Sequence, residues 1–407
     1  MGPAGLSVRI LYLTQWFEPE PNIIKGLRFV RALQDAGHQV EVVTGFPNYP
    51  SGRLHPGYRL RPIQRQTLEG VSVTRLWLYP SHDSSSLHRS LNYLSFFGSA
   101  LVWLLLRRRR FDLAYVYHPP ITVGLAAAVA GLIRPLPFVL DIQDLWPDTL
   151  AATGMAGAAR LTGVIGRLCG FVHRRAAAIV VQSQGMRQAL AARGVAAGKL
   201  SLIRNWAESE AVPDPTPQAG DRFVVVYGGN LGRAQGLGAV LEAARQLQSQ
   251  RPAVLIRLYG DGVEAGALRT QAAALGLSNL EIHARLPKAD IDRVFAGADC
   301  LLLHLADDPL FAITIPSKAQ AYLAAGRPIV AGVGGEAEEL LRESGAAMLA
   351  PPGDAMALAG AIAAMADLPP EARRLMGERG RDYYLRRLGF RRGVDQTLAL
   401  LTGTHQA

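Results

Sequence analysis

The stretch that decides the fold is FVVVYGGNLGRAQGLGAVLEAARQLQSQ, residues 223–250. Its first seven residues form an apolar, β-branched run that ends in two glycines, which predicts a buried strand. The helical pattern that begins at Gly238 predicts a helix that continues to Gln250, with a glycine-rich loop between the two elements. Strand, loop and helix together make a candidate anion site, because bare glycine backbone can approach a phosphate closely.

A second candidate anion site lies in PSKAQAYLAAGRPIV, residues 316–330. Pro316 and Ser317 suit the start of a helix, and Gly326 predicts its left-handed end. Lys318 in the first turn is badly placed for the helix dipole unless an anion lies there too. The alternative is an ordinary helix whose lysine points into water. Two such sites in one α/β domain suggest a nucleoside diphosphate held between them.

Composition limits the possible partners. The chain has 407 residues, of which 49% are hydrophobic, and a formal net charge of +10, so two α/β cores and an anionic partner are expected. The candidate anionic partners are a nucleotide, a phospholipid surface and nucleic acid. Nucleic acid is the weakest of them, because neither a zinc-finger pattern nor an aromatic RNA-binding signature is present. The two cysteines, Cys169 and Cys300, lie in apolar contexts, which favours a reducing compartment over a disulfide framework or a zinc site.

One apolar stretch raises the question of a membrane. Residues 91–106, LNYLSFFGSALVWLLL, end against four arginines at 107–110. The stretch is shorter than the roughly 20 residues needed to cross a bilayer, so it predicts either a helix that lies on a membrane or a buried helix with cations at its end. The first residues lack the pattern of a signal peptide, and a cytoplasmic location is therefore expected.

Alternating strands and helices predict two doubly wound domains. Candidate strands fall at 8–13, 40–44, 113–117, 138–142, 178–182, 200–203, 223–227, 255–259, 280–283, 301–304, 329–333 and 347–349, with a hairpin within 67–78. The polar, proline-rich residues 208–221 predict a linker. We therefore expect a first domain over 1–207, a second domain over 222–388, and a helix over 389–407 that returns to the first domain.

Several short motifs, in this order and spacing, resemble group 1 (family 4) glycosyltransferases of the GT-B fold. In the second half they are GNLG at 229–232, YGDG at 259–262, RLP at 285–287 and PSK at 316–318. In the first half, GFPNYP at 45–50 and DLWPD at 144–148 are similar to the branch that adds amino or deoxyamino sugars to lipid-linked precursors of bacterial surface polysaccharides.

This resemblance implies two Rossmann-like domains that face a cleft, and a specific activity. The family moves a sugar from a nucleoside diphosphate donor, usually with retention at the anomeric carbon and without an obligatory metal or other cofactor. For this chain the resemblance favours a UDP-sugar, an N-acetylated amino or deoxyamino hexose, and a polyprenyl-diphosphate-linked or glycan acceptor. O-antigen, capsule or exopolysaccharide synthesis at the cytoplasmic face of the inner membrane is the expected setting.

The resemblance also implies the site residues. Lys318 would neutralise the departing diphosphate, and His118 would contact the donor sugar or the acceptor hydroxyl, although a histidine that only caps a turn is the alternative. The expected donor-binding residues are Gly229, Asn230, Leu231, Gly232, Arg233, Gln235, Gly260, Arg285, Leu286, Pro316, Ser317 and Gln320. Asn230 and Gln235 stand where many relatives carry cations, and Gln320 stands where a glutamate commonly holds the ribose.

The acceptor is expected near Asp144, Trp206 and Asn22. Trp206 would stack on a sugar or fill the hinge between the domains. Asp141, Asp144 and Asp148 are close enough in sequence to suggest a metal site, but the intervening residues and the metal-independent chemistry argue against one.

Three other functions remain open at this stage. The substitutions at Asn230, Gln235 and Gln320 are what a catalytically silent, glycosyltransferase-like binding subunit would carry. A non-hydrolysing sugar-nucleotide epimerase shares the expected architecture. A Rossmann oxidoreductase is disfavoured, since no GxGxxG motif follows the first strand.

Overall fold

The computed structural model describes residues 7–21, 24–81, 86–118, 120–152, 158–213 and 222–406. The chain forms two compact units, the first from residues 1–204 together with 393–407, and the second from residues 205–392. Each unit contains one sheet, and the candidate strands of the sequence fall on these two sheets. The α/β fold predicted from the alternation of strands and helices is therefore confirmed.

The first unit has an eight-stranded sheet in the order β3-β4-β2-β1-β5-β6-β7-β8. Its strands are β1 (Arg9–Leu13), β2 (Gln39–Gly45), β3 (Ile63–Leu68), β4 (Val71–Leu76), β5 (Leu113–His118), β6 (Phe138–Ile142), β7 (Ala178–Val181) and β8 (Leu200–Leu202). Its helices are α1 (Leu27–Asp35), α2 (Ser86–Leu106), α3 (Ile121–Ile133), α4 (Asp148–Ala152), α5 (Ala158–Arg175) and α6 (Gln184–Ala192). The central strands are buried along almost their whole length, as expected of a parallel sheet covered on both faces.

The predicted hairpin is present, but it begins earlier than the sequence indicates. β3 pairs antiparallel with β4, and Glu69 and Gly70 form the turn with φ values of 43° and 85°. Two consecutive positive φ values are typical of the tight turns that match the twist of a hairpin. β3 lies at the edge of the sheet and carries mainly polar, partly exposed side chains, so it lacks the apolar run by which the other strands are recognised.

The second unit has a six-stranded parallel sheet in the order β11-β10-β9-β12-β13-β14. Its strands are β9 (Phe223–Asn230), β10 (Val254–Asp261), β11 (Leu280–His283), β12 (Cys300–His304), β13 (Ile329–Gly332) and β14 (Ala347–Ala350). Its helices are α7 (Gly238–Gln250), α8 (Ala265–Ala274), α9 (Lys288–Gly297), α10 (Pro309–Ala312), α11 (Ser317–Ala325), α12 (Gly335–Ser344), α13 (Ala355–Asp367) and α14 (Pro370–Arg387). The last helix of the chain, α15 (Phe390–Gln406), belongs mostly to the first unit.

Helix α11 has the predicted ends. Pro316 precedes it in an extended conformation, and Gly326 ends it with φ 67° and ψ 32°. A left-handed residue at this position suits glycine, which pays no steric penalty there. The lysine of interest therefore lies in the first turn of a helix whose position is fixed at both ends. None of the helices in the described ranges is both long and apolar enough to cross a membrane.

Candidate functional site

In the second unit the candidate site lies between β9 and β12, where the strand order of the sheet reverses. β9 and β12 are neighbours, yet the chain leaves β9 toward β10 on one side and leaves β12 toward β13 on the other. Connections that diverge in this way open a crevice at the carboxyl ends of the two strands, which is where α/β proteins bind ligands. Gly229 and Asn230 end β9, and α11 follows β12.

Lys318 reaches back from α11 to the end of β9. A Cβ atom added to Gly229 would lie 2.4 Å from Cε and 2.8 Å from Nζ of Lys318, so the absence of a side chain makes room for the lysine. Gly229 has φ 146°, a conformation that other residues rarely adopt. The ammonium group lies 5.0 Å from the centroid of the Tyr227 ring, within the range of a cation–π contact.

The charge of Lys318 is poorly compensated. Burial, and in second place the nearby guanidinium of Arg285, lower the pKa of the Lys318 amine to about 8. Within the described ranges, no carboxylate forms an ion pair with Lys318. Two cations and a helix N-terminus without acidic residues in its first turn therefore create a positive potential that favours an anion.

Helix α11 is held against β9 by a tyrosine. The Tyr322 hydroxyl accepts a hydrogen bond from the backbone N–H of Gly228 at 3.0 Å, and its ring packs edge-on against Phe295 at 5.2 Å. Tyr322 is completely buried. Because Tyr322 is four residues after Lys318, this contact fixes the helix close to the point from which the lysine extends.

The loop after β9 is organised by His304, which no motif in the sequence indicates. His304, at the end of β12, lies with Nδ1 2.7 Å from the Gln235 carbonyl, and its Nε2 accepts the Gly353 N–H at 3.3 Å. These partners together require a neutral ring with the proton on Nδ1, and burial lowers the pKa of His304 in agreement with this state. The Gln235 side chain in turn accepts the Gly232 N–H at 3.1 Å. A lone histidine after an apolar strand was the only signal in the sequence.

Several other residues that were predicted to bind the donor make contacts that support the fold. Leu231 is completely buried in the core of the second unit. A Cβ on Gly260 would lie 1.9 Å from the Gly229 carbonyl oxygen, so this glycine permits close contact between the ends of β9 and β10. The Asn230 carbonyl accepts the Tyr227 hydroxyl at 2.6 Å. Arg233 is exposed on the loop after β9.

Gln320 is not brought next to Lys318. Two residues of α-helix correspond to a rotation of about 200°, so the two side chains leave α11 in nearly opposite directions. Gln320 is 2% exposed, so it is buried on the other side of the helix from Lys318. Ala321 is three residues from Lys318 and therefore shares its face of α11. Ser317 is exposed at the start of the helix, and Leu286 is half-buried beside the exposed Arg285.

In the first unit the corresponding reversal of strand order lies between β1 and β5. His118 is the last residue of β5, opposite Ile142 of β6, so its backbone is at the carboxyl edge of the sheet. Its side chain is outside the described part of the structure, and Asn22 lies outside the described residues altogether. The predicted roles of these two residues remain predictions.

The loop after β1 is shaped by two carboxylates, those of Glu18 and Glu20. The Glu20 carboxylate accepts the backbone N–H groups of Phe17, Asn48 and Tyr49 at 3.1, 2.8 and 2.9 Å. Burial raises the pKa of Glu20 to about 7, against the opposing effect of these hydrogen bonds. The Glu18 carboxylate accepts the N–H of Leu27 at the start of α1 at 2.6 Å.

The three aspartates at the end of β6 have separate surroundings. Asp141 is buried and binds Lys25 and the Tyr115 hydroxyl, while Asp148 pairs with Arg193 at 2.6 Å. The Asp144 backbone carbonyl accepts the Trp146 N–H at 3.0 Å, but its carboxylate has no hydrogen-bond or ion-pair partner within the described ranges, and burial raises its pKa. Within the same ranges, no set of three or more His, Cys, Asp or Glu side chains is arranged to hold a metal ion.

Four half-buried aromatic rings lie at the same edge of the first sheet. Trp16 is 5.4 Å from Tyr49 and 6.4 Å from Tyr93, measured between ring centroids, and Tyr93 is 6.4 Å from Trp146. Trp206 differs from them, because it is only 1% exposed and packs edge-on against Phe390 at 5.3 Å. Because the Trp206 side chain is buried, its indole has no exposed face on which a sugar could stack in this structure.

Comparison with known proteins gives matches over both halves. Residues 27–206 match the model of the glycosyl transferase 4-like domain, and residues 208–383 match that of glycosyl transferases group 1. The chain is 27% identical to the probable glycosyltransferase WbjE of Pseudomonas aeruginosa, over 64% of this chain and 68% of that protein. It is 26% identical to the putative colanic acid biosynthesis glycosyl transferase WcaI of Escherichia coli K12, over 73% of this chain and 76% of that protein.

Solved structures show the same fold. Anabaena Alr3699/HepE in complex with UDP and glucose aligns with a TM-score of 0.68 and 18% identity, over 97% of this chain and 99% of that one. Sucrose-phosphate synthase of Thermosynechococcus elongatus aligns with a TM-score of 0.75 and 16% identity, over 97% and 98%. The predicted pair of Rossmann-like domains of the GT-B type is thereby confirmed.

Proposed function

Since the chain belongs to the group 1 glycosyltransferases, we propose that it transfers a glycosyl residue from a UDP-sugar to an acceptor hydroxyl, and that its second unit binds the donor. One observation carries the proposal: Lys318 lies against the bare backbone of Gly229, where the strand order of the sheet reverses. No described carboxylate balances the charge of Lys318. A diphosphate in this crevice would supply the missing negative charge.

The reaction explains why cations belong there. In the transfer, the bond between the anomeric carbon and the diphosphate breaks, a bond to the acceptor oxygen forms, and the proton of the acceptor hydroxyl is released to solvent. Negative charge therefore grows on the departing diphosphate. A preorganised ammonium group and helix N-terminus stabilise that charge more in the transition state than in the ground state. On this view Lys318 and Arg285 perform the task that a divalent metal performs in other enzymes, and we propose that no metal is required.

Uridine is our proposal for the base. Two solved structures of Anabaena Alr3699/HepE, which shares this fold, are described as complexes with UDP and glucose and with UDP-glucose, and this supports the choice. For the sugar we propose an N-acetylated amino or deoxyamino hexose, on the resemblance of residues 45–50 and 144–148, with retention at the anomeric carbon.

The acceptor is proposed to be a lipid-linked or glycan precursor of a bacterial surface polysaccharide. The description of the relative WcaI as a colanic acid biosynthesis enzyme supports this class. In the first unit, the Asp144 carboxylate has a raised pKa and no partner among the residues that the structure describes, so it is suited to accept a hydrogen bond from an acceptor hydroxyl. A lipid-linked acceptor would be met at the cytoplasmic face of the inner membrane.

The test is donor turnover by a Lys318→Ala variant. Loss of one preorganised donor to the developing charge lowers the rate by about 100- to 1000-fold in comparable sites, and a similar loss of kcat/KM is expected here. UDP release by purified protein, with UDP-sugars and a lipid-linked acceptor, measures it. Lys288→Ala is the matched control, because Lys288 is an accessible lysine of the same unit that pairs with Asp292; its kcat/KM should remain unchanged.

Three results would contradict the proposal. Full activity of Lys318→Ala would mean that the diphosphate binds elsewhere. A wild-type protein that binds UDP-sugars without any turnover would be a silent binding subunit. Formation of an altered sugar nucleotide without an acceptor would indicate an epimerase.

A further inference from the structure

The outward face of α2 carries large apolar side chains toward both of its ends, with Ser95, Gly98 and Ser99 between them. Its solvent-facing large side chains are Leu87, Leu91, Leu94, Val102 and Leu106, which are between 43% and 73% exposed. Their spacing of mostly three or four residues places them in one stripe along the helix. We call this the α2 stripe.

The core of the first unit does not account for the α2 stripe. A different face of α2 supplies the core, through Asn92, Phe96, Ala100 and Leu104, none of which is more than 2% exposed. A helix on the surface of a globular domain normally has one apolar and one polar face. α2 has no acidic residue, and no charged residue at all after Arg89. An apolar surface of this extent generally marks an interaction site.

An apolar groove continues the α2 stripe on one side. It has a volume of about 1050 Å³ and lies between α2 and the hairpin of β3 and β4. Its lining includes Ile63 and Trp77 from the hairpin and Val102, Trp103 and Leu106 from the helix. Ile63 and Trp77 are themselves 47% and 42% exposed, so the apolar surface extends from the helix to the edge of the sheet.

The charge next to this surface is strongly positive. Four arginines follow Leu106 directly, at positions 107–110. Arg107 donates to a helix carbonyl, and Arg109 pairs with Glu41 at 3.1 Å. Arg108 and Arg110 are exposed, and neither forms an ion pair within the described ranges. The groove thus combines large apolar side chains with arginines at one end, while Arg65, Glu41 and three serines also line it.

We propose that the α2 stripe, the groove and Arg108 and Arg110 dock the first unit onto a bilayer that contains anionic lipids. α2, about 30 Å long at 1.5 Å per residue, would lie in the plane of the interface with its stripe among the upper acyl carbons. The arginines would contact lipid phosphates, to which cationic residues near a surface are attracted. A neutral protein partner would explain the stripe but not the adjoining arginines.

Sedimentation with vesicles tests this docking. The full chain should co-sediment with vesicles of phosphatidylcholine and phosphatidylglycerol, weakly with phosphatidylcholine alone, and less as salt is added. Replacing Leu94, Val102 and Leu106 by glutamine should abolish sedimentation. Replacing Arg108 and Arg110 by glutamine should lower the partition coefficient by about 25-fold, at about five-fold for each arginine. All five positions are exposed, so the fold should be retained.

The controls are matched in chemistry and exposure. Val263→Gln with Met356→Gln removes exposed apolar side chains from the second unit, and Arg269→Gln with Arg391→Gln removes exposed arginines there. Both control variants should sediment like the wild type.

Two results would overturn the proposal. One is equal sedimentation of the wild type and the Leu94, Val102 and Leu106 variant. The other is a stable dimer that this variant dissociates, without vesicle binding by either protein, because the stripe would then be a subunit interface. The assay needs neither donor nor acceptor, so its outcome is independent of whether the proposed transfer reaction is observed.

Discussion

Lys318 should give donor binding a characteristic pH dependence. Its amine has a pKa of about 8, lowered mainly by burial and further by Arg285. The protonated form therefore predominates at pH 7 and the neutral form at pH 9. If only the ammonium form binds a diphosphate well, the apparent Kd for UDP is constant below pH 8 and rises above it, approaching ten-fold per pH unit.

Calorimetric titration of UDP between pH 7 and 9 measures this dependence. Lys318→Arg is the informative variant, because a guanidinium keeps its charge throughout this range. Its Kd should not vary with pH, even if it binds UDP more weakly than the wild type does. A wild-type Kd that is the same at pH 7 and pH 9 would mean that Lys318 does not contact the diphosphate.

At single residues, the sequence indicated local roles but not distant partners. The position of Lys318 in the first turn of a helix predicted an anion nearby, and the pH dependence of UDP binding tests that prediction. The buried pair of Lys25 and Asp141 was not predictable, because its members are 116 residues apart and sequence spacing instead grouped Asp141 with Asp144. His304 was missed for the same reason, because its hydrogen-bond partners, the Gln235 carbonyl and the Gly353 N–H, lie in distant loops.

At the level of elements, the end of β9 should tolerate no side chain at Gly229. An added methyl group would lie 2.4 Å from Lys318 Cε, so Gly229→Ala should displace the lysine without removing its charge. Misplacement of a catalytic group by about 1 Å can cost about 100-fold in rate, and a loss of that order in kcat/KM is expected.

Steady-state kinetics with a UDP-sugar measures this loss. The control is Gly276→Ala, whose glycine also has a positive φ, 61°, but has nothing within 4 Å of the added carbon. This variant should lose a little stability, because of its backbone strain, and no activity. Equal kcat/KM values for Gly229→Ala and the wild type would show that contact between β9 and Lys318 is unimportant.

Elements with one clear hydrophobic pattern were predictable from the sequence, whereas a helix with two apolar faces was not. The parallel strands were recognisable from continuous buried runs such as residues 223–227. For α2, the sequence offered a buried helix or an interfacial one. The two interpretations are compatible, because in the structure one face of α2 lies in the core and another carries exposed apolar side chains. Composition alone cannot separate two faces that are both apolar.

For the whole molecule, composition located the region between the halves but not its local structure. The proline-rich residues 208–221 were predicted as a linker, whereas the second compact unit already begins at Asn205. Glu210 accepts hydrogen bonds from the Tyr384 hydroxyl at 2.9 Å and from the Phe390 N–H at 2.8 Å. These partners are more than 170 residues away in sequence, so no local pattern could reveal that the start of this segment is anchored.

The two-unit organisation predicts which part of the molecule UDP stabilises. A ligand that binds only the folded second unit stabilises it by about 2.7 kcal/mol at one hundred times its Kd. For a unit of this size, that corresponds to an increase in Tm of about 5–10 °C. In a thermal-shift assay, UDP should raise the transition of the second unit and leave that of the first unchanged. GDP should have a smaller effect, and Lys318→Ala should lose most of the shift.

Because the positive charge is supplied by the chain itself, EDTA should leave the shift intact. A shift that appears only with Mg²⁺ would contradict metal-free binding of the diphosphate.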